Sequence, residues 1–127
     1  MNIRIFDRGS KKMLGIFDAF DLLRGFPGAD CYGFIDDLTV HLSSSLKDAY
    51  GKEIFEGDIL RVNFNSNDTN KHGVVKFENG CFICVFRYAP FDDLIGGKIR
   101  LFTYKVSSIN NECDVAGNIL ENPELLP

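Results

Sequence analysis

Four cysteines are the first residues in this sequence whose types and spacing could do chemistry. Cys81 and Cys84 form a C-x-x-C pair, and Cys31 and Cys113 complete a set of four that could ligate zinc. Zinc-binding pairs present both sulfurs from a turn, whereas here the spacer is Phe-Ile within an apolar run that predicts a strand. Side chains three positions apart on a strand point to opposite faces. We therefore expect reduced, metal-free, buried cysteines, with a zinc site as the alternative.

The two histidines do not complete a catalytic arrangement. His41 lies in a stretch of mixed polarity, and His72 borders a polar loop before Gly73. Neither has a serine or cysteine partner at the spacing of a hydrolytic motif. The sequence therefore gives no support for a catalytic triad.

Acidic pairs and a glycine pair are the other candidates. Asp36-Asp37 and Asp92-Asp93 are adjacent residues, which diverge in a strand and make poor metal clamps, so we interpret both as solvated. Gly96–Lys98 lacks the upstream glycine and the downstream hydroxyl of a phosphate-binding loop. We expect no catalytic residue, no metal, no cofactor and no enzyme activity.

A weak candidate for a nucleic-acid-binding face lies in the second half of the chain. Small β-domains bind single strands through basic and aromatic side chains on a strand face. Arg100 and Tyr104 share one strand face, whereas Lys105 opposes them, so the face would be incomplete. The residues that could contribute to such a face are Arg87, Tyr88, Lys98, Arg100, Tyr104 and Lys105, with Arg87, Tyr88, Arg100 and Tyr104 as the candidate site.

Composition limits the possible functions. The chain has 127 residues, a net charge of −4 and a sequence pI of about 5.1. This acidic balance argues against nucleic acid as the partner. The sequence has no apolar stretch long enough to span a membrane and no apolar signal core at its start, so we expect a protein of the bacterial cytoplasm.

The elements that must position these residues are mostly strands. Asn79-Gly80 is a strong hairpin signal, because both residues tolerate the positive φ of a type I′ turn. Alternating or continuous apolar runs flank it. We predict a mainly β fold, a partly open or closed antiparallel barrel, built from Ile59–Phe64, Val74–Glu78, Cys81–Tyr88 and Ile99–Val106.

The two ends of the chain predict smaller elements. A short strand is expected at Ile3–Phe6 and a final strand at Val115–Leu120. Apolar residues recur at three and four positions from Met13 to Phe26, which favours a helix in the N-terminal half. Asn122 and the following proline predict a C-terminal helical turn with Asn122 as its cap.

The most distinctive local pattern is the stretch Lys47–Val62, with the sequence KDAYGKEIFEGDILRV. Asp48–Gly51 has the composition of a type I turn closed by glycine. Glu56–Asp58 is a second tight corner that delivers the chain into a strand. Charged residues concentrate at corners in water and glycines serve backbone geometry, so we interpret the stretch as scaffold.

Four ordered blocks of the sequence resemble the YopX family of small phage- and prophage-encoded proteins. The signature block is LKDAYGKEIFEGDILRV at Leu46–Val62. RIFDRGSKKM (Arg4–Met13), GVVKFENGCF (Gly73–Phe82) and VAGNILENPELL (Val115–Leu126) also agree. Phe6 stands where a tryptophan is common, Ala116 replaces a larger aliphatic residue and Ser45 replaces a common glycine.

This resemblance implies a single YopX-like domain over residues 1–127, with a less regular part at 1–45 and a β-rich core at 46–127. It implies a mainly β architecture and self-association. It implies no particular biochemical activity and assigns no functional residue.

Self-association is also indicated by the aromatic content. Twelve phenylalanines are many for a chain of this size, and rings left unburied form an apolar patch. A closed oligomer would cover that patch and the exposed strand edges. We expect a homo-oligomer, a dimer or trimer, that acts as a non-catalytic module binding a phage or host protein. The alternative is a small β-barrel accessory protein that binds nucleic acid.

Overall fold

Two antiparallel sheets make up the fold. The computed structural model describes residues 2–18, 38–62, 72–88 and 100–126. The first sheet contains β1 (Asn2–Asp7), β2 (Lys12–Asp18), β3 (Leu38–Lys47) and β4 (Glu53–Phe55), in the order β2-β1-β3-β4. The second contains β5 (Asp58–Arg61), β6 (His72–Glu78), β7 (Cys81–Tyr88), β8 (Arg100–Lys105) and β9 (Asp114–Asn118), in the order β8-β7-β6-β5-β9.

In the described ranges, helical structure is limited to short pieces. Helix α1 (Val106–Ile109) follows β8, and 3-10 turns occupy Asn110–Glu112 and Pro123–Leu125. Within the four described ranges, no helix is long and apolar enough to cross a membrane. The mainly β class predicted from the sequence is confirmed.

The helix predicted over Met13–Phe26 is wrong for its first part. Residues 13–18 belong to strand β2, while residues 19–26 lie outside the described residues. Strand β2 pairs with β1, and its register shifts after Ile5, which lies opposite Gly15, so that Leu14 becomes the extra residue of a bulge. Exposure still alternates from Lys12 to Phe17, but apolar residues lie on both faces. Leu14 and Ile16 are exposed, while Met13 and Phe17 are half-buried, which is why the apolar spacing resembled that of a helix.

The hairpin across Asn79-Gly80 is confirmed. These residues have φ angles of 53° and 75°, the positive values that a type I′ turn requires. Strand β7 has the predicted bounds, whereas β5 begins one residue earlier than predicted and ends at Arg61. Strand β8 ends before Val106, which starts helix α1 instead.

The second sheet does not close into a barrel within the described residues. Closure would require β8 to meet β5 at the opposite edge of the four predicted strands. That side of β5 is occupied by β9, with Leu60 opposite Val115 and Arg61 opposite Asp114. The ladder hydrogen bonds of β5 are therefore used on both sides, and β8 and β9 form the two edges of the sheet.

The hydrophobic core lies on one face of the second sheet. Val75 of β6 and Cys84 of β7 lie opposite each other there, and α1 covers them with Val106. Each large aliphatic side chain buried in this way stabilises the fold by about 1.5–3 kcal/mol. The buried members of the core are Ile54, Leu60, Val75, Cys84, Phe86, Val106 and Cys113.

The predicted C-terminal turn is present at Pro123–Leu125, but Asn122 does not cap it through its side chain. The Asn122 Oδ1 atom instead accepts a hydrogen bond from the Asn118 backbone N–H at 3.2 Å. Asn118 Oδ1 accepts from the N–H groups of Leu120 and Glu121 at 3.0 and 2.8 Å. These bonds fold the chain back after β9 and set the direction in which the last residues run.

Candidate functional site: the outer face and edge of the second sheet

The Glu56–Asp58 corner is the point where the chain passes from the first sheet to the second. Asp58, the first residue of β5, accepts a hydrogen bond from Arg4 Nη1 on β1 and another from the Phe55 N–H at 2.8 Å. Arg4 Nη2 lies 3.2 Å from the Glu56 carbonyl oxygen, to which it donates. The Arg4 guanidinium also lies 5.0 Å from the centre of the Phe55 ring. This buried ion pair ties the two sheets together.

His41 completes the buried cluster. Its Nδ1 atom lies 3.0 Å from Arg4 Nη2, a donor only, so His41 accepts there and is neutral. Burial, and then the charge of Arg4, lower the pKa of His41 to about 4. Burial raises the pKa of Asp58, although Arg4 opposes that shift. Arg4, His41 and Asp58 expose 8%, 6% and 1% of their surface, so no substrate reaches them.

Gly57 is required at this corner for a steric reason. Its φ is +83°, and a Cβ atom placed on it would lie 2.6 Å from His41 Cε1. Both the backbone conformation and the space therefore select glycine.

Asp48 organises the other half of the Lys47–Val62 stretch. Its Oδ1 atom accepts from the Tyr50 and Lys52 N–H groups at 2.9 and 2.8 Å. Its Oδ2 atom accepts from the Val115 N–H of β9 at 2.9 Å. Asp48 is itself buried. The acids and glycines of this stretch thus hold the turns and join the sheets.

The cysteines do not gather into a site. Cys81 and Cys84 lie three positions apart on β7, so their side chains point to opposite faces of the sheet. Cys84 and Cys113 are free thiols in the core, where burial raises the pKa of both, that of Cys113 to about 11. Cys31 lies outside the described residues. In the part of the chain that is described, no three His, Cys, Asp or Glu side chains converge as a metal site.

Several candidates from the sequence cannot be placed. Asp36-Asp37, Asp92-Asp93 and Gly96–Lys98 all lie outside the described residues. His72 is buried at the start of β6, where it lines the groove described below.

The candidate nucleic-acid face is split between the two sides of the second sheet. Arg87 lies on the outer face, away from the core, because it directly follows the core residue Phe86 in β7 and pairs with Leu101. Tyr104 lies opposite Cys84 on the core side, where its ring contacts Phe86 edge-on with centroids 5.9 Å apart. The backbones of Tyr88 and Arg100 pair at the end of the ladder, and their side chains lie outside what the structure describes.

The outer face of the sheet carries a groove of about 590 Å³. Val74 and Val85 lie directly opposite each other and form its floor. Lys76 and Arg87, both exposed, stand on neighbouring strands at opposite ends of that valine pair. The groove is lined by His72, Val74, Lys76, Val85, Arg87, Leu101 and Leu126.

Of these residues, Arg87 was a candidate from the sequence, whereas Lys76, Val74 and Val85 were not. The signal that could have found them is the hairpin turn. A two-residue turn at Asn79-Gly80 fixes the pairing of β6 with β7, and hence which side chains share a face.

Strand β8 presents an apolar edge. Leu101, Phe102 and Tyr104 are 62%, 44% and 47% exposed. Leu101 belongs to the outer face, whereas the two rings belong to the core side. Within the described residues, β8 pairs on one side only, with β7, so its other side is an open sheet edge.

Comparison with known proteins identifies the family but no activity. The chain is similar over its full length to a solved structure, the crystal structure of protein EF1440 from Enterococcus faecalis, with 25% sequence identity and a TM-score of 0.59. The likeness covers 100% of this chain and 99% of that one. A comparison with curated proteins gave no match. The profile of the family described as YopX protein matches residues 28–127, which is most of the chain and includes the whole second sheet and strands β3 and β4 of the first. The chain therefore belongs to the YopX family.

Proposed function

We propose that this protein is a non-catalytic, self-associating module that binds other proteins. The single observation that carries the proposal is strand β8, an open sheet edge with three large, exposed apolar side chains. Open apolar edges template pairing with another chain, and proteins that keep them exposed use them for assembly. The occupant we propose for the edge is a second copy of the same strand.

The sequence of β8 favours one register for this pairing. Two antiparallel copies centred on Thr103 would set Phe102 of each copy opposite Tyr104 of the other. Cross-strand aromatic pairs stabilise a sheet by about 0.2–1 kcal/mol each beyond an alanine pair. A register shifted to bring Arg100 opposite Lys105 would instead oppose like charges. The pairing centred on Thr103 is isologous, which gives a closed dimer rather than the open-ended chain of a heterologous contact.

Two observations support a non-catalytic role. The cluster of ionisable side chains formed by Arg4, His41 and Asp58 is buried and joins the sheets. The buried thiols of Cys84 and Cys113 have a raised pKa, whereas reactive cysteines have a lowered one.

The alternative, a nucleic-acid-binding accessory protein, has less support. Single-strand binders place aromatic rings among their basic residues so that bases stack there. On β6, β7 and β8 the outer face carries Lys76, Arg87 and Lys105, but the Phe and Tyr residues of these strands with described side chains lie on the other face. A phage or host protein as partner, and the cytoplasm of a bacterial host as location, stay predictions.

The test is the mass of the protein in solution. We expect light scattering at micromolar concentration to give twice the 14.3 kDa of one chain. Thr103→Lys places two like charges face to face on the dimer axis and should return the monomer mass. Ser107→Lys adds the same charge at an exposed position of helix α1 and should leave the dimer intact. A wild-type mass of 14.3 kDa at every concentration would refute self-association.

A further inference from the structure

The groove on the outer face combines an apolar floor with positive rims. Neither Lys76 nor Arg87 forms an ion pair with a carboxylate among the described residues. Asp114 is already engaged by Arg61, whose Nε and Nη2 atoms lie 3.0 and 2.6 Å from its carboxylate oxygens. Glu78 lies two positions beyond Lys76 on the same face but does not line the groove. In a chain of net charge −4, two cations therefore face one groove with no ion-paired carboxylate in the described part of the chain.

The spacing of the two cations is set by the register. Val74 pairs with Val85, so the position opposite Arg87 is residue 72, four residues before Lys76 on the same strand. At about 3.3 Å per residue, four residues span about 13 Å. An extended peptide has the same rise and shows every second side chain to one face. Acidic side chains four residues apart on a peptide would match the two cations, with an aliphatic side chain midway above the valine pair.

The chain itself shows that an aliphatic side chain can occupy the groove. Leu126 lines one end of it, at the close of the segment that contains Glu124 and Leu125. The groove therefore already accommodates a leucine that lies two positions after a glutamate in the sequence.

We propose that the groove binds an extended segment of a partner protein with the pattern Glu-x-Leu-x-Glu, its two carboxylates on Lys76 and Arg87 and its leucine on Val74 and Val85. This inference rests on the proposed protein-binding role and names the site and the chemistry of the partner. It does not depend on pairing through β8, because the groove opens on the face of the sheet.

The experiment uses fluorescence anisotropy with a fluorescein-labelled synthetic peptide that contains Glu-Thr-Leu-Thr-Glu. We expect saturable binding that weakens as salt is raised, because the contacts on the rim are ionic. Combining Lys76→Glu with Arg87→Glu should reduce affinity by at least about tenfold. Lys11→Glu combined with Lys12→Glu makes the same total charge change at the start of β2, on the first sheet, and should leave affinity unchanged. A second peptide of the same composition, with its two glutamates adjacent, should bind more weakly.

The outcomes separate this proposal from the proposed function. Saturable peptide binding supports the groove whether the mass of the wild-type protein is 14.3 kDa or twice that value, so the two tests have independent outcomes. No binding of the Glu-Thr-Leu-Thr-Glu peptide, or equal binding to the Lys76→Glu/Arg87→Glu variant, overturns the groove assignment and leaves the mass test intact. If poly-dT binds more tightly than the peptide, and the Lys76→Glu/Arg87→Glu variant loses that binding, the groove binds nucleic acid and the peptide proposal is wrong.

Discussion

Replacing Asp58 by alanine should destabilise the protein more than any other single removal of a carboxylate. Asp58 is buried, and its two oxygens accept from Arg4 Nη1 and from the Phe55 N–H. The substitution leaves the Arg4 guanidinium buried without its counter-charge. Removing one partner of a buried ion pair costs about 3–5 kcal/mol. Since small domains have a free energy of unfolding of about 5–15 kcal/mol, this is a large fraction of the total.

The measurement is urea unfolding followed by circular dichroism, together with calorimetry. For a domain of this length we expect the midpoint temperature to fall by about 10–20 °C. Asp7→Ala is the matched control, because Asp7 also accepts two hydrogen bonds, from the Gly9 N–H and the Ser10 hydroxyl, but is at the surface. Its removal should destabilise the protein far less than Asp58→Ala does.

A double substitution tests whether the loss of stability in Asp58→Ala comes from the unpaired charge of Arg4. Arg4→Met combined with Asp58→Leu removes both charges together, and replacing a whole buried pair by apolar residues is often nearly neutral. We expect the double variant to be more stable than Asp58→Ala. If Asp58→Ala costs less than about 1 kcal/mol, the ion pair does not hold the sheets together and the reasoning is wrong.

Three further predictions concern the same buried regions. Gly57→Ala should cost more than Gly51→Ala, because both have positive φ but only Gly57 would meet a side chain, that of His41. His41 is neutral when folded, with a pKa of about 4 against an ordinary value of 6.5, so the unfolded chain binds more protons between these values. Stability should therefore fall as pH drops from 6.5 to 4, and the difference from His41→Gln should isolate this slope in urea titrations. Cys84 and Cys113 should resist iodoacetamide at pH 8 until urea unfolds the protein, as mass spectrometry of the alkylated peptides would show.

Local signals predicted the second sheet well. Asn79-Gly80 fixes a two-residue turn, and the apolar runs on either side leave no choice of partner, so β6 and β7 follow directly. The scaffold role of Lys47–Val62 was also accessible, because turn residues have known backbone demands. The expectation that its charged residues lie in water was wrong for Asp48 and Asp58, which are buried.

The parts that sequence could not supply depend on distant contacts. Arg4 and Asp58 are 54 residues apart, and nothing local marks either as buried. Apolar residues on both faces of β2 gave this strand a helix-like spacing, and its bulge is visible only in the pairing with β1. The pairing of β9 with β5 prevents closure of the four predicted strands. It likewise joins segments distant in sequence, and no short pattern predicts it.

The most direct test of assembly through β8 is a cross-link at its centre. In the proposed dimer the two copies of Thr103 face each other, with Cα atoms about 4.5–5.5 Å apart, which is within the range of a disulfide. Mild oxidation of Thr103→Cys should therefore give a covalent dimer on a non-reducing gel. Ser107→Cys and the wild-type protein, with its native cysteines, should stay largely as single chains. If Thr103→Cys cross-links no more than these two controls, β8 is not the interface between copies.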